Sequence, residues 1–222
     1  MPGTQSSSVK SLLVASRTYA DIDEFFEKQL KEAGYGGLEI QRSPTGLTLK
    51  VYVARPGLAI GRRGTGIKEL TEKVAAQFAL VNPQIAISEV ENPALNPRIM
   101  AARVAQIVER GTAFRRAATW TLNNIMNAGA MGCEISVAGK LRSDRSRGEK
   151  YRAGIVPKSG DTADRVVSEA TTDVLLKLGL YGIKVKIALR DALPPEFQFK
   201  GDVKEEEMNN GTTKSEEPQR AR

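Results

Sequence analysis

The stretch that most restricts what this chain can fold into runs Val51-Tyr-Val-Ala-Arg-Pro-Gly-Leu-Ala-Ile-Gly-Arg-Arg-Gly-Thr-Gly-Ile-Lys-Glu-Leu70. Alternating apolar residues predict a strand that ends at Pro56. A short apolar segment then enters Gly61-Arg62-Arg63-Gly64, after which Ile67, Leu70, Val74 and Phe78 recur at the spacing of one helix face. Two glycines therefore flank two cations at a turn between helices. Neither Gly61 nor Gly64 has a Cβ, so a sugar-phosphate backbone can lie against the main chain. The N–H groups opening the next helix, with Arg62, Arg63 and Lys68 beside them, suit phosphate charge. No Gly-Lys-Ser/Thr follows, which excludes a Walker loop. The GxxGxG spacing, with no acidic residue closing a neighbouring strand, fails the dinucleotide fingerprint. A bare GxxG is only a turn, but here a strand precedes it, a helix follows, and no acid appears before Glu69. The expected ligand is nucleic acid.

Charge distribution supports the same partner. The chain carries +7 overall, yet residues 98–158 hold 12 Lys/Arg against 4 Asp/Glu, a net of +8. The flanking thirds are close to neutral, so the middle third is expected to meet a polyanion. Histidine is absent, which removes the Ser-His-Asp and Cys-His arrangements and the usual zinc ligand sets. A single cysteine, Cys133, cannot form an internal disulfide and reads as a small buried apolar residue. With no long apolar run and no signal peptide, the expectation is a cytoplasmic chain without a membrane partner.

Residues 1–15 are Ser-rich and weakly patterned. Asp21 and Glu24 read as a capping box opening a helix to about Ala33, with Ile22, Phe25, Phe26 and Leu30 as its apolar stripe. Strands follow through Leu38 and Ile40, then from Leu47 to Val53 after a turn at Pro44-Thr45-Gly46. After the GRRG loop and its helix comes a third strand with Ile85 and Ile87. Asn92-Pro93 to Asn96-Pro97 is turn chemistry and places a domain boundary after residue 95. Two helices are then expected. The first carries Met100, Val104, Ile107 and Val108; the second runs from Thr112 to about Ala128 with Phe114, Ala118, Leu122 and Ile125 facing inward. A strand with Ile135 and Val137 precedes a basic connection from Gly139 to Gly148, and another strand spans Lys150 to Val156. Residues 165–178 are ambiguous: Val167, Ala170, Val174 and Leu178 fit a helical period, and a short strand at Arg165 to Ser168 fits equally. Ile183, Val185, Ile187 and Leu189 alternate with Lys184, Lys186 and Arg190 in a last strand. Leu193-Pro194-Pro195-Glu196-Phe197 reads as an extended docking segment, and residues 199–222 as a disordered acidic tail. The fold class is α+β: a first domain over 1–95, and a second over 96–198 with two helices on a small sheet.

Two further clusters are candidate RNA contacts. Arg115 and Arg116 lie opposite the apolar face of their helix, with no acid between Glu109 and Glu134. Lys140, Arg142, Arg145, Arg147, Lys150 and Arg152 crowd the basic connection, interrupted only by Asp144 and Glu149. Trp120, Tyr35 and Tyr52 read as packing residues rather than base-stacking platforms. Carboxylate pairs such as Asp21/Asp23 and Asp161/Asp164 are material for a Mg²⁺ site. They are better explained as cap and turn residues.

The order helix–strand–strand–helix–helix–strand, with its GRRG loop, resembles a type II KH domain, whose GXXG loop clamps about four nucleotides by their backbone. The resemblance extends much further. Ile22-Asp-Glu-Phe, Ala33-Gly-Tyr-Gly-Gly, Arg55-Pro-Gly, Ile60-Gly-Arg-Arg-Gly, Phe114-Arg-Arg-Ala, Gly139-Lys-Leu and Gly182-Ile-Lys-Val-Lys-Ile closely resemble the family of the third protein of the small ribosomal subunit, in its archaeal form. This resemblance covers roughly residues 20 to 198. It implies a type II KH domain followed by an α+β domain, seated in the head of the small subunit. It implies binding to small-subunit rRNA, contact with neighbouring head proteins (families ten and fourteen), and a place on the path by which messenger RNA enters. By position, Arg115 and Arg116 match the basic pair that faces the incoming messenger. Thr119 stands where the family often has another cation, and Ser6-Ser7-Ser8 replaces its usual basic start. No catalysis and no cofactor is implied. The rival readings are a free KH protein regulating particular transcripts and a metal-dependent nuclease using Asp161 and Asp164.

Overall fold

The computed structural model describes residues 8–43, 46–78, 80 and 83–189. The Pro44-Thr45 turn, Arg190, the 193–197 segment and the 199–222 tail lie outside the described residues. The first helix, α1 (Ser8–Gln29), begins well before the expected capping box. Asp21 is therefore not a cap but a mid-helix residue, with Arg17 one turn earlier at 3.9 Å. A helix of this length is stabilised by burial of its second half: Ile22, Phe26 and, just past its end, Leu30 recur one turn apart and are all buried. Its first half leaves Leu12, Leu13 and Val14 exposed.

Strand β1 (Tyr35–Ser43) pairs antiparallel with β2 (Gly46–Val53), and β2 pairs parallel with β3 (Pro83–Glu89). Between β2 and β3 come α2 (Pro56–Ile60), a 3-10 turn at Arg62–Gly64 and α3 (Thr65–Phe78). The central strand supplies Leu49, Val51 and Val53, all fully buried against Phe26 of α1 and Leu70 and Val74 of α3. Burying each such side chain stabilises by about 1.5–3 kcal/mol, which is why the alternation seen in the sequence sets the register here.

The second half has its own sheet, in the order β5-β4-β7-β6 and antiparallel throughout. Its strands are β4 (Gly132–Gly139), β5 (Arg147–Gly154), β6 (Val167–Leu176) and β7 (Gly179–Ala188), with the short α6 (Asp161–Val166) before β6. The ambiguous 165–178 segment is thus mostly strand, because β7 offers it a full antiparallel partner from Val167 to Leu176. Helices α4 (Pro97–Glu109) and α5 (Phe114–Asn127) cover one face of this sheet. Met100, Val104, Ala118 and Ile125 of the helices meet Ile135 and Val137 of β4 and Ile183 and Val185 of β7 in a fully buried core.

The two halves are fastened at the start of α4. The Asn96 carboxamide oxygen accepts from Arg98 N at 3.0 Å and Ile99 N at 3.4 Å, capping the helix with Pro97 at its first position. Its Nδ2 donates to Gly36 O on β1 at 2.9 Å. Arg98 then reaches Asp23 of α1, with Nη1 2.9 and 2.8 Å from the two carboxylate oxygens. The Tyr35 hydroxyl donates to the same carboxylate. Burial and this hydrogen bond push the Tyr35 phenol well above its ordinary value. What reads in sequence as a plain turn is a cap that grips the neighbouring sheet.

Candidate RNA interface

The GRRG turn owes its shape to two different uses of glycine. Gly61 has φ 71°, ψ 178°, and its N–H donates to Gly57 O at 3.1 Å to close α2. A Cβ there would lie 2.9 Å from Gly66 N, and one on Gly66 would lie 2.7 Å from Ala59 O. Gly61 and Gly66 therefore let α2 and α3 meet. Gly64, at φ 77°, faces open space instead. Of the two loop glycines, it is Gly64 that leaves room for a ligand backbone. Arg63 between them adopts φ 54°, a conformation uncommon for a side chain other than Asn, Asp or Gly. The Thr65 hydroxyl donates to Arg62 O at 3.0 Å and steadies the turn. Arg62, Arg63 and Lys68 are exposed, and among the described residues none of them forms an ion pair.

Arg115 and Arg116 both stand on the exposed face of α5, but they are not equivalent. Glu149 of β5 faces Arg115 with Nε at 3.0 Å from Oε2 and Nη2 at 3.2 Å from Oε1. The Tyr151 hydroxyl donates to Glu149 at 2.6 Å and fixes it further. This corrects the expectation that no acid neutralises the pair: the acid arrives from a strand 34 residues away in sequence. Arg116 has no ion-pair partner among the described residues. Hydrogen bonds from Arg115 and then Tyr151 pull the Glu149 carboxyl down to about 2. A carboxylate depressed on folding contributes stability that is present above its unfolded value, about 4.3, and lost as pH falls through the folded one. Acid titration of Glu149→Gln should therefore show a smaller loss of stability between about pH 4.5 and 2 than the parent. An identical acid limb in the two proteins would contradict this assignment.

The basic connection also divides. Strand β5 begins at Arg147, three residues earlier than the sequence suggests, so Arg147 joins Lys150 and Arg152 on a strand. Alternation then sends neighbours to opposite faces. Glu149 and Tyr151 turn toward α5, while Lys150 and Arg152 join Ser136, Glu134, Lys184 and Lys186 by cross-strand pairing on the helix-free face. Lys140, Arg142, Arg145 and Arg147 remain exposed around the hairpin tip. Buried Leu141 anchors the base of that tip, as does the Tyr181 hydroxyl, which donates to Lys140 O at 2.6 Å.

Charges on the helix-free face are largely paired. Lys184 and Lys186 lie 3.0 and 2.9 Å from Glu169 Oε2. Glu134 Oε2 is buried and makes no well-aligned hydrogen bond, but Arg152 Nε at 2.6 Å and Lys158 Nζ at 3.6 Å hold it by charge. Burial opposes ionisation of Glu134, and the surrounding cations outweigh it, holding the carboxyl below its ordinary value. Nothing in the sequence singles out Lys158, Lys184 and Lys186: the first stands alone in a loop, and the other two look like the solvated face of an alternating strand. If RNA phosphates reach this face, Lys184→Ala/Lys186→Ala should reduce the slope of log affinity against log salt by about 1.5. An unchanged slope would leave those lysines to Glu169 alone.

Other candidates have structural duties. Cys133 is fully buried, and burial pushes its thiol up to about 12. Asp23 is held by Arg98, and Asp161 pairs with Arg165 at 2.9 Å. Tyr35 is buried, and Tyr52 donates to Glu39 at 2.9 Å. Trp120 departs from the packing role expected of it: it is 44 % exposed, with the Arg103 guanidinium 4.9 Å from its ring centre.

A KH-type loop followed by a basic helix and sheet narrows the identity, and comparison with known proteins decides it. Residues 21–95 match the family described as KH domain, and residues 104–187 match Ribosomal protein S3, C-terminal domain. The chain is 43 % identical over 196 residues to the small ribosomal subunit protein uS3 of Thermofilum pendens, covering 88 % of this chain and 97 % of that one. It belongs to the uS3 family. The uS3 protein of Methanococcoides burtonii is 44 % identical over 182 residues, covering 82 % of this chain and 60 % of that longer relative. Members of the family are structural components of the ribosome, not enzymes. Among the described residues, no helix is long and apolar enough to cross a membrane.

Proposed function

We propose that this chain is a structural constituent of the small ribosomal subunit, bound to rRNA in the head and placed where messenger RNA enters. The observation that carries this reading is the GRRG turn, with exposed, unneutralised Arg62 and Arg63 beside the open face of Gly64. Arg116 and the cations of the hairpin tip extend the same chemistry across the second half of the molecule. These groups recognise phosphate and not base edges, which suits a protein positioned by RNA shape. We assign residues 1–95 to the RNA-clamping KH domain, 96–198 to the second domain and 199–222 to a tail. Neighbouring head proteins of families ten and fourteen are the expected protein contacts. The exposed Leu12, Leu13 and Val14 on α1 are apolar surface that such a neighbour would cover.

A tagged chain should co-sediment with small subunits in a sucrose gradient after a high-salt wash, and should be recovered from the cytoplasm with ribosomes. Recovery only in the light soluble fractions would favour a free KH regulator instead.

A further inference from the structure

We propose that the groove between the KH half and α4 holds an unpaired rRNA nucleotide, its base stacked on the Trp120–Arg103 pair. This inference rests on the RNA-binding reading above and adds a site to it. The groove comprises two adjoining hollows of about 390 and 520 Å³ that share Lys31, Glu32, Arg55, Gln106 and Arg110. Gln106 Nε2 donates across it to Lys31 O at 3.3 Å, tying α4 to the turn after α1. At one end the Arg103 guanidinium lies 4.9 Å from the ring centre of the partly exposed Trp120.

Charge selects the occupant. Lys31, Arg55, Arg103 and Arg110 are all exposed and none forms an ion pair among the described residues. The acids lining the two hollows are Glu32 and Glu109, so cations are in excess. An acidic polymer with planar, stackable groups fits both properties, and RNA has both. Position supports this as well. Arg116 precedes Trp120 by one helical turn, so the two share a face of α5. The far end of the groove reaches Leu58 of α2, three residues before Gly61 of the GRRG turn. The groove therefore joins the two RNA-binding elements into one track. A hollow that grips a stacked base retains it, whereas a messenger must slide. A fixed rRNA nucleotide is accordingly the occupant.

Trp120 is the only tryptophan in the chain, so its fluorescence reports on this groove alone. The full-length protein is titrated with a fluorophore-labelled single-stranded hexa-adenylate at low salt, following label anisotropy and tryptophan emission together. Saturable quenching of Trp120 in step with binding is expected. Trp120→Ala should weaken binding by about fivefold to a hundredfold, the range for loss of one base–aromatic stack. Arg110→Glu, which keeps the fluorophore, should shift the quenching midpoint to higher RNA. Binding with unchanged tryptophan emission, and with equal affinity in both variants, overturns the groove site while leaving the RNA reading standing. No binding by anisotropy removes both. In assembled small subunits stripped of messenger, ultraviolet irradiation should crosslink the Trp120 peptide to an rRNA nucleotide. A crosslink that appears only with messenger present, or that joins a neighbouring protein, overturns the assignment to rRNA.

Discussion

Gly61→Asp should destabilise the KH half strongly, whereas Gly64→Asp, strained in its backbone alone, should still fold and lose RNA. The two substitutions add the same side chain to the same loop, three residues apart, so composition does not separate them. At Gly61 the backbone sits at φ 71°, ψ 178°, a region open essentially to glycine and costing other residues about 1–3 kcal/mol. The added Cβ would also meet Gly66 N at 2.9 Å, a main-chain atom that cannot swing aside. At Gly64 a Cβ meets nothing within 4 Å, and aspartate tolerates the left-handed conformation better than most residues. What Gly64→Asp introduces is an anion beside Arg62 and Arg63, where phosphate is expected. Loss of one charge-assisted contact, about 1.5–3 kcal/mol, corresponds to about a tenfold to hundredfold fall in affinity. Thermal melting and binding to an rRNA fragment, measured on both variants, separate the two roles. Full RNA affinity in a well-folded Gly64→Asp protein would reduce the loop to an ordinary turn.

The same loop shows what a sequence conveys and where it stops. Strand alternation at Leu49, Val51 and Val53, and helical spacing at Leu70 and Val74, are local periodicities, and both elements appear where they point. Two glycines around two arginines also announce a phosphate-sized turn. Their differing reasons for being glycine depend on how closely α3 approaches α2, a distance no spacing encodes. Long-range pairing explains the other departures. The 165–178 segment becomes a strand because β7 lies beside it, and Arg115 is neutralised because β5 brings Glu149 under α5. The run from Lys140 to Arg152 looks like one basic patch until pleating divides it between hairpin tip and helix-free face. Trp120 is legible in the sequence only as an aromatic. Its exposure follows from α5 turning positions 115, 116 and 120 outward, and Arg103 reaches it from α4. Asp21 shows a local signal overridden: its capping-box spacing is genuine, but α1 continues back to Ser8.

Ribosomes carrying Arg116→Ala should slow several-fold on a messenger with a stable hairpin and hardly at all on an unstructured one. Arg116 is exposed on α5 without an ion-pair partner among the described residues, so its charge is available to a phosphate. Exposed charges contribute little to folding, so the substituted protein should assemble normally. A cation that holds phosphates of separated strands favours the unpaired messenger without reading its bases. Arg115 makes an instructive control because Glu149 already occupies its guanidinium. Removing Arg115 alone would bare that carboxylate and add an uncompensated negative charge. The clean comparison therefore removes both, as Arg115→Ala/Glu149→Gln, which leaves the local net charge unchanged. This double variant should pass the hairpin at close to the parental rate. If it slows as much as Arg116→Ala, then Arg115 leaves Glu149 to meet the messenger, and the pair acts together. If Arg116→Ala slows structured and unstructured messengers alike, the arginine serves general elongation and not strand opening. Single-turnover translocation on matched messengers, with and without the hairpin, distinguishes these outcomes.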